Sequence, residues 1–132
     1  MTTAEYLKTL PGACAEGRAW AKKARITSDA EAWAKCPRWS WMAWLLSQRG
    51  LSMPEREARL FACDCAERAL ANIAEPDPRS VAAVEVARRY AMGTATQEEL
   101  DAARAAEDAW QAERARHYCP NLFTAREQGR EP

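Results

Sequence analysis

The chain has 132 residues, with 19 basic and 19 acidic side chains and 48% hydrophobic residues. A chain of that length buries roughly two-thirds of its unfolded surface, so a core can form without disulfide or metal staples, and zero net charge excludes a global field drawing it to nucleic acid or anionic lipid. Its 29 alanines and six tryptophans set it apart, and alanine favours closely packed helices over a sheet.

Helix punctuation is legible along the chain. Thr2 and Glu5 have capping-box spacing and open a short helix stopped by Pro11-Gly12. A second helix is predicted from Ala13 to about Lys23. Ser28 and Glu31 repeat the capping box for a third, which ends near Cys36 because a residue preceding proline is pushed out of the α region. Pro37 suits the first turn of a fourth helix carrying Trp39, Trp41 and Trp44 and closing at Gly50. Ser52 and Glu55 read as a further capping box, with Pro54 near the first helical position.

The fifth predicted helix runs from Glu55 to about Ala74, with Ala58, Phe61, Ala62, Cys65, Ala69 and Ile73 as its buried stripe. Glu55 with Arg59, and Asp64 with Arg68, are i,i+4 pairs on its other side. Asp77-Pro78 caps a sixth helix that runs through Val81, Val84, Ala87 and Ala91 to Gly93. Thr96 and Glu99 start a seventh, with Leu100, Ala103, Ala106 and Trp110 inward, and Pro120 ends it. No window alternates apolar and polar residues as a strand would. The expected fold is an all-α bundle of six or seven helices without a sheet, one domain over residues 1–120 followed by a polar tail over residues 121–132, with the last three helices as an up-down-up unit.

The N-terminus lacks a basic region followed by an apolar run, which predicts a cytoplasmic protein. The stretch from Trp39 to Leu46 falls far short of the ~20 residues that cross a bilayer, so no membrane association is expected. Five cysteines in a reducing compartment are expected to be free thiols. Cys63 and Cys65, two apart on a helix, point about 200° from each other and cannot share one ion. We expect them to be structural, Cys65 in the core and Cys63 at a helix contact. No metal and no cofactor is expected. His117 is the only histidine, and Gly-rich phosphate loops and nucleophile elbows are missing from the sequence, so an enzyme is not expected. The carboxylate pairs Glu98-Glu99 and Glu107-Asp108 belong to solvated helix faces on this reading.

One basic cluster runs from Arg18 to Arg25 around Trp20, and residues 1–50 carry eight basic against four acidic side chains. Such a cluster can bind single-stranded nucleic acid, which is the alternative to a protein-binding role, although a solvated face with Trp20 turned inward is the simpler reading and nucleic acid is not the expected partner. Trp41 and Trp44 share a face of the fourth helix and are expected in the core, whereas Trp39 is expected to reach solvent.

The sequence also resembles a family. The order Leu-Pro-Gly-Ala-Cys14, Glu16-Gly-Arg-Ala-Trp20, Glu31-Ala-Trp33-Ala-Lys-Cys36 and Trp41-Met-Ala-Trp44-Leu-Leu46, continued in Arg59-Leu-Phe-Ala-Cys63-Asp-Cys-Ala-Glu67 and Ala87-Arg-Arg-Tyr-Ala-Met-Gly93, is similar to small helical immunity proteins of phages, prophages and bacteria. The resemblance covers about residues 7–110. It implies a helical protein that binds and blocks a toxin. In a phage it implies a related inhibitor of a host defence complex, in the manner of anti-CRISPR proteins. Both predict an exposed surface with a few anchors and a charged rim. The anchors expected here are Arg38 and Trp39, and the rim charges are Arg18, Lys22 and Lys23.

Overall fold

A computed structural model describes residues 1–121, 123 and 129. It is all-α, with seven helices and no strand among the described residues: α1 (Thr3–Lys8), α2 (Ala15–Ala24), α3 (Asp29–Lys35), α4 (Trp39–Gln48), α5 (Glu55–Ala71), α6 (Pro78–Ala91) and α7 (Gln97–Tyr118). Apart from Asn121, Phe123 and Gly129, the polar tail expected over residues 121–132 lies outside the described residues. Contacts divide the chain into two compact units, Met1–Ser52 and Met53–Pro132.

In unit 1 the helices are short and their ends are set by side chains. Thr2 and Glu5 make the full reciprocal capping box, with the Glu5 amide on the Thr2 hydroxyl at 3.1 Å and the Thr2 amide on the Glu5 carboxylate at 2.8 Å. At α3 only half of the expected box forms. Ser28 Oγ accepts the Glu31 N–H, but the Glu31 carboxylate accepts the Thr27 hydroxyl at 2.8 Å, the closer donor. Pro37 lies outside the fourth helix, contrary to expectation: Arg38 is its N-cap, without a side-chain capping bond.

The end of α2 carries no glycine. Arg25 takes the left-handed conformation instead, at φ 57°, which costs an L-residue roughly 1–2 kcal/mol. The Ile26 amide then bonds back to the Ala21 carbonyl at 3.0 Å, and the turn delivers Ile26 into the core with no exposed surface. Tyr6, Leu7, Leu10, Ala21, Ala32 and Leu45 surround that core.

A polar network ties three of these helices together. Tyr6 donates its hydroxyl to Asp29 Oδ1 at 2.7 Å, and Arg49 holds Asp29 through Nε at 2.8 Å and Nη2 at 3.1 Å. The same guanidinium donates to the Thr9 hydroxyl at 2.9 Å. Burial, followed by the neighbouring carboxylate, pushes the Tyr6 phenol well above its ordinary range. Hydrogen bonding to Arg49 lowers the Asp29 carboxyl below its usual 3.8 and outweighs the opposing effect of burial. A carboxyl lowered in the folded state stabilises at pH values above its unfolded pKa, and that contribution disappears as pH falls through the folded value. Since the Asp29 side chain is 47% exposed, screening holds the contribution to about 1 kcal/mol. In urea titrations Asp29→Asn is therefore expected to be less stable than the parent by that amount at neutral pH, with the difference closing as pH falls below the ordinary carboxyl value and through the lowered folded one; a difference that persisted in acid would assign the loss to packing.

Unit 2 is built around α6. Arg59 Cζ stacks 5.0 Å from the Tyr90 ring, Cys63 donates to the Val84 carbonyl, and Arg88 bridges Asp64 and Glu67, so α5 and α6 run antiparallel. Arg79 with Glu113, Ser80 with Glu107, and Arg89 with Glu99 set α6 against α7 in the same way. The expected up-down-up order is observed. Asp77 caps α6 by accepting the Arg79 N–H at 2.8 Å, with Pro78 at its first position.

Four expectations for this unit need correction. Ser52 does not cap α5, because Pro54 occupies the N-cap with an extended backbone and places Ser52 too far upstream. The inward face of α5 runs through the buried Cys63 and the half-buried Arg59, Ala66 and Leu70, and not through Phe61, Cys65 and Ile73, which are exposed. Cys63 makes the helix contact expected of it, through Val84, and is also the buried thiol, whereas Cys65, expected in the core, is exposed. Asp64 reaches across to Arg88 in place of Arg68, since Arg88 offers a hydrogen bond of 2.8 Å on the packed side.

Candidate functional site

The residues singled out from sequence all lie in unit 1, and one of them, Arg38, stands where the start of α4 approaches the start of α2. The Cys36 thiol donates to the Arg38 carbonyl at 3.4 Å, fixing the extended residue from which α4 begins. From there the Arg38 guanidinium lies over the Trp41 ring, 4.7 Å from its centroid, and donates to Glu16 in the first turn of α2 at 3.0 Å. Trp41 in turn meets Trp20 of α2, their centroids 6.1 Å apart and their planes tilted by 42°. A cation, a carboxylate and two indoles from two helices form one stacked group.

Trp39 is 42% exposed, as expected. Trp33, on the preceding helix, is 40% exposed. Trp41 and Trp44 are half-buried and Trp44 packs against the core cluster, as does Trp20. Lys22 and Lys23 are exposed in the last turn of α2, about 10 Å along the helix axis from Glu16 at a rise of roughly 1.5 Å per residue. Arg18 has a different role from the rim charge expected of it. Its guanidinium donates to the carbonyls of Ala13 at 3.1 Å, Leu10 at 2.8 Å and Pro11 at 3.1 Å, which closes the α1–α2 connection. The basic cluster therefore contributes Lys22, Lys23 and Arg25 to the surface, while Arg18 serves the backbone.

Sequence reading missed a cavity of about 290 Å³ within unit 1. Tyr6, Trp20, Trp41 and Trp44 contribute its aromatic walls, and Leu7 and Leu10 are among its aliphatic lining. Small residues interleaved with the tryptophans, Gly12, Ala13, Gly17, Ala21 and Ala32, are the signal that could have revealed it. A Cβ added at Gly12 would sit 3.5 Å from the Trp44 ring and one at Gly17 3.4 Å from the Cys14 sulfur, ordinary contact distances. Cys14 itself caps α2 by accepting the Gly17 N–H at 3.4 Å.

Unit 2 holds an open groove whose lining includes Ala62, Ala66, Ala83, Ala87, Leu100 and Trp110. Glu107 borders it and is not on a solvated face as expected: one oxygen accepts the buried Ser80 hydroxyl at 3.1 Å and the other is buried without a partner. Burial raises the Cys63 thiol above its ordinary value, which keeps it protonated and a weak nucleophile. Among the described residues no group of three or more His, Cys, Asp or Glu is placed to hold a metal ion, and no helix is long and apolar enough to cross a membrane.

Comparison with models of known families, with curated proteins and with solved structures gives no match to this chain.

Proposed function

We propose that the chain is a protein-binding inhibitor without catalytic activity, acting by covering a working surface of a partner protein such as a toxin or a host defence complex. The observation that carries this reading is the pairing of Arg38, held in place by Trp41 and Glu16, with the exposed indole of Trp39 next to it. Arginine and tryptophan are the side chains that most often dominate binding energy, and a guanidinium already fixed in the free protein loses little conformational freedom on binding. Lys22 and Lys23 add positive charge, and unit 1 as a whole has eight basic against four acidic residues, so the partner's surface is acidic and its approach is steered. The nucleic-acid alternative draws less support, because Arg18 is committed to three carbonyls.

The experiment is rescue of growth, or protection of an infecting phage, when the chain is produced alongside the toxin or defence complex of its own host. Arg38→Ala combined with Trp39→Ala is expected to abolish protection and weaken partner capture at least a hundredfold, equivalent to about 2.7 kcal/mol, with helical content by circular dichroism unchanged. Protection that survives the double substitution would remove these residues from the interface. Loss of helical content would reassign them to the core.

A further inference from the structure

We infer that the cavity of unit 1 is a binding site for a small, uncharged aromatic molecule of two-ring size. This does not rest on the partner-binding reading, although Trp41 belongs to both, holding Arg38 there and lining the cavity here. The volume comes first. An engineered apolar cavity of about 150 Å³ takes up benzene, and this one, at about 290 Å³, matches two fused rings.

The chemistry of the walls narrows the class. Four aromatic side chains line the space, and no charged side chain does, so a charged ligand would shed its hydration with no counter-charge to meet it. Two of the few polar groups are already engaged, the Cys14 sulfur with the Gly17 amide and the Cys36 thiol with the Arg38 carbonyl. The Tyr6 hydroxyl is engaged as well, with Asp29, and the Ser40 hydroxyl offers one hydrogen bond. Water admitted to such walls finds too few partners to be held well.

The walls are also held apart. Arg18 locks the α1–α2 connection, Arg38 with Glu16 joins α2 to α4, and Arg49 joins Asp29 at the start of α3 to Thr9 and, through Asp29, to Tyr6. These three clamps draw on all four helices around the cavity and oppose its collapse, leaving a pre-formed site of the kind that small ligands occupy.

Indole titrated into the full chain and read at the six tryptophan indole N–H resonances tests this directly. The expected result is saturable movement of the Trp20, Trp41 and Trp44 signals with a midpoint between about 0.1 and 1 mM, while Trp33 and Trp110 stay in place. Indole-3-acetate, which carries a charge on the same ring system, is expected to bind at least tenfold more weakly. Ala13→Leu, which fills the cavity, and Ser40→Phe, at an exposed position of its lining, are each expected to weaken indole at least tenfold; the second serves should the first fail to fold. Absence of saturable movement in the parent chain, equal movement of all six signals, equal binding of indole-3-acetate, or undiminished binding by a folded cavity-filling variant would each overturn the inference.

Discussion

Ile26→Ala is expected to cost unit 1 about 3 kcal/mol. Ile26 has no exposed surface and sits among Tyr6, Leu7, Leu10, Ala21, Ala32 and Leu45. Its position is dictated by the backbone: Arg25 in the left-handed conformation and the bond from the Ile26 amide to the Ala21 carbonyl leave the side chain one direction to take. Neighbours cannot move in to fill the vacated space, because Tyr6 is anchored to Asp29 and the α2 start to Arg38. A folded segment of 52 residues commands only about 3–8 kcal/mol in total at 0.05–0.15 kcal/mol per residue, so the loss removes between about a third and all of that stability. Denaturant titration followed by tryptophan fluorescence measures the change; a loss under about 1 kcal/mol would mean that the core closes around the gap.

Leu100→Ala is expected to cost unit 2 a similar amount, about 3 kcal/mol. Leu100 is 1% exposed, and of the described residues in this unit only Cys63 and Ser80 are buried with it. Five of the residues that line the groove with it are alanines, Ala62, Ala66, Ala69, Ala83 and Ala87, and such short side chains have no length to extend into a void. The substitution improves intrinsic helix propensity in α7 by a few tenths of a kcal/mol. A net loss therefore isolates packing from propensity. Leu100→Met, which conserves volume, should cost under about 1.5 kcal/mol, and equal losses for the two variants would instead point to a defect in α7 itself.

How far the sequence could be read depended on the size of the side chains. Helix starts were legible where a hydroxyl or carboxylate sits at an N-cap, as at Thr2, Ser28, Asp77 and Thr96, because each of those atoms meets a defined amide. Ser52 misled because the same spacing occurs with a proline inside it, and Pro54 took the cap position. The phase of α5 was not legible, since alanine fits either face of a helix and gives no sign of direction. Phe61 and Ile73 suggested one face, whereas the ion pairs from Arg88 to Asp64 and Glu67 turn Cys63 inward. The exposed Trp39 was anticipated from its place beside Pro37 and Arg38, whereas the hold of Glu16 and Trp41 on Arg38 was not, because it joins residues of two helices. Arg18 was not, because its three acceptors are backbone carbonyls, which every sequence supplies and none advertises. The cavity arises from small residues of α2 and α3 facing tryptophans of α4, a tertiary pairing that spacing alone does not encode.

The position of α6 between α5 and α7 has a kinetic consequence. Its partners are its immediate neighbours in the chain, joined through residues 72–77 and 92–96, so the contacts of unit 2 have a low contact order, the topology associated with folding in microseconds to milliseconds. Both hairpins share α6, so the packing of each is complete only once that segment is helical. This shared helix is marked at both ends, by Asp77 and Pro78 at its start and by Gly93 at φ 79° beyond its finish.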